Sequence, residues 1–208
     1  MLPFYLSFSD LLIVHPTSII GLVIVSISLG FLLRNRTLTH KVRTIISSLL
    51  FYCYLVLSLT NVFGIPTVME LSRLTSLGQP LFNPNLEMMP LADGFSFSFI
   101  LNVIAFMPFG FLVPMISPTY SKWYKTVLLG FLFSLSIEVS QLFTLYRATD
   151  INDLLTNTFG TVLGYLCFTI INKLIERKRS PSLHKDPTRV LPPFIVAIAF
   201  LSVILIWS

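Results

Sequence analysis

Phe95-Ser-Phe-Ser-Phe-Ile-Leu-Asn-Val-Ile-Ala-Phe-Met-Pro-Phe-Gly-Phe-Leu-Val-Pro-Met-Ile116 contains no charged side chain and is almost wholly apolar. Crossing hydrocarbon as a helix takes about 20 such residues. Lipid offers the backbone no water to bond with, so a stretch of this kind folds as a helix and not as open sheet. Five more apolar runs flank it, at 17–33, 45–63, 126–146, 154–171 and 193–207, the last being the shortest. The chain is 54% hydrophobic and 11% charged, against roughly 25% charged for a soluble domain. These observations predict an all-α polytopic membrane protein with about six transmembrane helices, or five if the last run does not span. They exclude a soluble apolar core.

The charged residues predict which way round the chain sits. Basic residues in short loops mark the cytoplasmic side. The first connection carries Arg34, Arg36, Lys41 and Arg43; the third, Lys122 and Lys125; the fifth, Lys173, Arg177, Lys178, Arg179, Lys185 and Arg189. Only Arg73 and Arg147 fall in the even connections, which hold Glu70, Glu87, Asp93, Asp150 and Asp153. Six spans then put both termini outside; loss of the sixth moves only the carboxyl terminus. No Lys or Arg precedes Arg34, so a cleavable signal peptide is not expected. Residues 1–14, apolar but short and containing Asp10, are expected to lie at the interface.

The net charge of +5 is explained by loops at an anionic inner leaflet, so membrane lipids are the expected partners and nucleic acid is not. Residues 173–189 are expected to form a solvated cytoplasmic linker. Cys53 and Cys167 lie inside spans, while His15, His40 and His184 are scattered. No metal-ligand spacing, phosphate loop or nucleophile elbow occurs, so neither metal nor cofactor is expected. No internal repeat of the kind found in many transporters is visible.

Against this background the polar residues within spans are the candidates for function, because an ionisable group near the bilayer centre costs at least a few kcal/mol. Ser134, Glu138 and Gln141 share one helix face at i, i+4 and i+7. Glu138 lies roughly 10–12 Å below the expected outer surface, either as a protonated group bonding helices together or as a proton or ligand site. Asp150, Asp153, Asn157 and Gly160 form a second stripe. Asp150 could cap a helix there and Asp153 favour its dipole, with Arg147 pairing either acid. Capping leaves Asn157, one turn deeper, unexplained. Asn102 sits near the outer end of the third span, ahead of a kink expected at Pro108 and Gly110. Gly160 and Gly164 have the spacing of close helix packing. Together these segments predict a polar ligand site at the outer leaflet built from three helices. The long second connection, 64–94, repeats Val68, Leu71, Leu74 and Leu77, as a short helix on the outer surface would. It could cap the site or serve only as an interfacial linker.

Four blocks of this sequence resemble the VanZ-like family of bacterial membrane proteins. They are Asn85-Leu86 through Pro90-Leu91, Asn102 through Gly110, Ser134-Leu-Ser-Ile-Glu138-Val-Ser-Gln141, and Arg147-Ala-Thr-Asp150-Ile-Asn-Asp153 through Asn157-Thr-Phe-Gly160. The resemblance implies a membrane core at 45–172, an amino-terminal extension with one span at 1–44, and a basic linker with the last span at 173–208. It places Asn102, Pro108, Gly110, Glu138, Gln141, Asp150, Asp153, Asn157 and Gly160 at pattern positions and brings no established reaction or catalytic residue. The family's name-giving member lowers susceptibility to the glycopeptide teicoplanin, which acts outside the membrane on lipid-anchored precursors. The resemblance therefore implies a multi-pass protein of the bacterial cell membrane, in resistance or envelope homeostasis. The outward polar cluster, with no recognisable nucleophile beside it, favours a protein that binds or shields a lipid-linked ligand at the outer leaflet, with a lipid-linked cell-wall precursor or the glycopeptide as the expected partner. Two alternatives remain at this point. One is an intramembrane enzyme with Glu138 as general acid/base and Asp150 and Asp153 holding a divalent cation. The other is a proton-coupled carrier using Glu138.

Overall fold

The computed structural model describes residues 15–34, 38–82, 84, 86–87, 97–145, 149–175 and 186–206. Helix α1 (Pro16–Leu32) begins with proline at its first position, where no backbone donor is needed. Helix α2 (Leu38–Ser58) continues into a single π turn, Leu59–Phe63. Gly64 ends that turn at φ 61°, ψ 59°, a left-handed conformation that glycine adopts without strain. Helix α3 (Val68–Ser76) is capped by Thr67, whose hydroxyl accepts from Glu70 N at 3.2 Å. Of its apolar repeat, Leu74 is buried and Leu77 exposed.

Strand β1 (Leu86–Glu87) precedes α4 (Phe97–Ile116), which runs unbroken through Pro108 and Pro114. A 3-10 turn at Pro118–Ser121 leads to α5 (Trp123–Gln141), β2 (Thr149–Asp150) and α6 (Ile151–Ile175). A second 3-10 turn, Pro187–Val190, opens α7 (Leu191–Ile204). The expected all-α fold thus acquires one addition, a two-residue parallel ladder in which Leu86 pairs with Thr149 and Glu87 with Asp150.

The six apolar runs fall on α1, α2 with its π turn, α4, α5, α6 and α7. Four helical stretches are long and apolar enough to cross a membrane: Lys41–Ser76, Phe99–Ile116, Ile151–Leu174 and Pro187–Ile204. Pro16–Leu32 is a shorter apolar helix. Helix α5, interrupted by Lys125, Glu138 and several hydroxyls, is outside both sets. Large apolar side chains such as Ile27, Phe31, Ile104 and Leu174 are more than half exposed around the bundle. Apolar surface on both the inside and the outside is what lipid selects.

Helices α4 and α6 make the closest pairing of the bundle. Their backbones approach so nearly that a Cβ on Gly110 would strike the Thr161 carbonyl, one on Gly160 the Val103 carbonyl, and one on Gly164 the Met107 carbonyl. Lipid gives two apolar helices no reason to associate by burial alone, so small residues that allow van der Waals contact supply the attraction. Phe51 of α2, Phe106 and Phe109 of α4 and Phe133 of α5 fill the centre. Phe109 and Phe133 stack at 5.2 Å with an 11° interplanar angle.

Two clasps attach α1 and α7. The buried Tyr52 Oη of α2 donates to Ser18 O at 2.8 Å and lies 3.0 Å from Ser202 Oγ. At the other end, Asp186 collects Ser117 Oγ (2.6 Å), Thr119 N (3.2 Å), Thr119 Oγ1 (2.9 Å), Thr188 N (3.0 Å) and Thr188 Oγ1 (2.6 Å). It thereby ties the α4–α5 turn to the start of α7. Partial burial pushes its pKa up, but the hydrogen bonds outweigh that and hold it below the ordinary carboxylate value. An aspartate followed by proline at the first helical position is a helix-start signal, although its long-range partners have none. The expected interfacial segment 1–14 and the middle of the basic linker, 176–185, lie outside the described residues.

Candidate functional site

The first turns of α4 and α6 and the last turns of α5 lie at the end of the bundle that also holds the π turn and the β1–β2 ladder. Asp150 is the residue before α6, and its Oδ1 accepts from Asn152 N at 2.7 Å, the bond of a helix N-cap. Its own backbone N donates to Glu138 Oε2 at 3.0 Å. Thr149 Oγ1 donates to the Glu138 carbonyl at 3.1 Å. The side chain of Glu138 is only 3% exposed. It sits against the positive end of the 25-residue α6, which together with the Asp150 N–H compensates for burying a carboxyl group.

The amides link further pairs. Asn102 Nδ2 donates to Asp153 Oδ1 at 2.6 Å, joining α4 to α6. Asn157 Nδ2 donates to Ser134 Oγ at 3.0 Å, joining α6 to α5. Gln141 Nε2 donates to the Phe63 carbonyl at 2.8 Å, satisfying the end of the π turn. Each of the two buried amides has one atom left over. Among the described residues, Gln141 Oε1 and Asn157 Oδ1 have no hydrogen-bond partner. An unsatisfied buried acceptor costs about 1–3 kcal/mol.

The site therefore consists of linked pairs at one end of three helices, and its acids and amides belong to the same stripes as in the sequence. Arg147 lies outside the described residues. The ladder brings residues 86–87 of the long second connection alongside Asp150. Gly110, Gly160 and Gly164 stand in the α4–α6 contact and not among the polar groups. Near Pro108, which withdraws a backbone donor, Tyr54 Oη of α2 donates to Ala105 O at 2.7 Å. Among the described residues no three His, Cys, Asp or Glu gather as metal ligands would. Sequence reasoning missed Thr149, the Phe63 carbonyl and the ladder. Gly64 after an apolar run signals a helix end, but nothing local marks its partner as Gln141.

A family model described as VanZ/LLP1 matches residues 44–172. The chain belongs to the VanZ/LLP1 family. The VanZ/LLP1 region contains all the candidate site residues, whereas α1 and α7 lie outside it. With its apolar helices, this family member is a helical membrane protein. No curated protein and no solved structure matches the chain.

Proposed function

We propose that this VanZ/LLP1 protein is a multi-pass protein of the bacterial cell membrane that binds a lipid-linked envelope ligand at the outer leaflet. By shielding that ligand it limits the access of a glycopeptide such as teicoplanin. In this reading six helices span, both termini lie outside and the acid-bearing end faces outward, since the basic residues gather at the opposite end. The observation that carries the proposal is the pair of buried, unpartnered acceptors, Gln141 Oε1 and Asn157 Oδ1, on the stripes that hold Glu138 and Asp153. Scaffolding alone would be better served by apolar side chains or by fully paired amides. A cell-wall precursor presents amide N–H and hydroxyl donors to such acceptors.

The test uses cells expressing Glu138→Gln, Asp150→Asn or Asp153→Asn at normal protein level. Teicoplanin susceptibility is expected to rise toward that of cells lacking the protein. Unchanged susceptibility in all three strains would reduce the cluster to structural support.

A further inference from the structure

At the opposite, basic end of the bundle, a cavity of about 380 Å³ lies between α5 and the start of α7. Lys125, Leu128, Leu129 and Leu132 contribute one wall and Arg189 and Val190 part of the other. The four α5 residues are spaced i, i+3, i+4 and i+7, so they form a single stripe along that helix. Helix α5 starts at this end, which puts Lys125 at the rim and Leu132 roughly 10 Å deeper. Leu128, Leu132 and Val190 are about half exposed, so the cavity is a groove opening sideways toward lipid. Trp123 and Tyr124, both exposed in the first turn of α5, are residues that favour the membrane interface.

The rim is positively charged. Neither the Lys125 nor the Arg189 side chain has a hydrogen bond or ion pair among the described residues. The nearby carboxylate, Asp186, is taken up by Ser117, Thr119 and Thr188. Two cations above an apolar wall that deepens into the bilayer complement one kind of molecule, with an anion at the surface and a hydrocarbon chain below. We propose that the groove holds one anionic phospholipid of the leaflet at the basic end, its phosphate between Lys125 and Arg189 and one acyl chain along Leu128, Leu129 and Leu132. Arg189 is contributed by α7 side of the groove and lies outside the family region, so this lipid would bridge the family core to the added last helix. The inference is independent of any ligand at the acid-bearing end.

The full chain in nonionic detergent is titrated with dioleoyl phosphatidylglycerol or dioleoyl phosphatidylcholine, and retained lipid is counted by native mass spectrometry. Each cation is worth roughly five-fold toward an anionic lipid, so a preference on the order of twenty-fold for phosphatidylglycerol is expected. Lys125→Gln with Arg189→Gln should abolish it, whereas Lys122→Gln with Lys173→Gln, the same charge change on exposed residues that do not line the groove, should preserve it. Glycerol phosphate, a headgroup without chains, should not displace the lipid. Equal retention of both lipids by the wild type would overturn the proposal, as would equal loss in the two double variants. Displacement by glycerol phosphate would overturn the acyl-chain part and leave a simple phosphate site. If the first double variant fails to fold, Lys125→Gln and Arg189→Gln are measured singly, each expected to lose roughly five-fold; no loss in either would also refute it.

Discussion

Gly164→Ala tests whether the α4–α6 contact holds the bundle together. The added Cβ would lie 2.8 Å from the Met107 carbonyl carbon and 3.0 Å from its Cα, and would overlap the carbonyl oxygen. Relaxed carbon contacts are about 3.5–4.0 Å, so the carbon contacts alone require the helices to part by roughly 0.5–1 Å, and the overlap with the carbonyl oxygen requires more. These are backbone atoms of a packed helix and cannot swing aside as a side chain would. Overpacking of this kind costs about 1–3 kcal/mol. Replacing a helical glycine also brings a propensity gain of up to about 1 kcal/mol, which Gly30→Ala supplies as a control because nothing lies within 4 Å of its Cβ. The difference between the two variants isolates the clash. Denaturant unfolding of the purified protein in detergent should place Gly164→Ala below Gly30→Ala by about 1–3 kcal/mol. Equal midpoints would mean that the helices do not meet as described.

Two further consequences concern the clasps that hold α1 and α7, the helices outside the family region. The folded pKa of Asp186 lies below its unfolded value of about 3.9, so its stabilisation is complete above that pH and fades as pH falls through the lower folded value. Wild-type unfolding midpoints should therefore decline as pH falls below about 4, and Asp186→Asn should show a shallower decline; identical slopes would contradict the clasp. Tyr52→Phe removes the bond to Ser18 O and the Ser202 contact and should cost about 1 kcal/mol in the same unfolding assay. No loss would show that α1 and α7 are held by packing alone.

Much of this molecule was legible because lipid makes a simple demand on composition. The runs at 95–116 and 154–171 announced α4 and α6, and helical spacing put Asp153 and Asn157 on one face. Which partners those faces meet was not legible. Asn102 with Asp153, and Ser134 with Asn157, are choices among several polar groups at the same depth, decided by which helices touch. Gly160 and Gly164 signalled a close approach, but the sequence did not say that Val103 and Met107 lie opposite. The ladder between residues 86–87 and 149–150 joins two-residue segments too short to carry a periodic signal. Asp186 and Tyr52 act across long sequence separations, where local patterns carry no information.

The functional account depends most on the acid-bearing end facing outward. It is tested by replacing Cys53 and Cys167 with Ser, then introducing Leu81→Cys at that end or Lys122→Cys at the basic end. Both sites are exposed. A membrane-impermeant maleimide on intact cells should label the Leu81→Cys protein and reach the Lys122→Cys protein only after permeabilisation. The opposite pattern would place Glu138, Gln141 and Asn157 toward the cytoplasm and contradict the proposed outer-leaflet site.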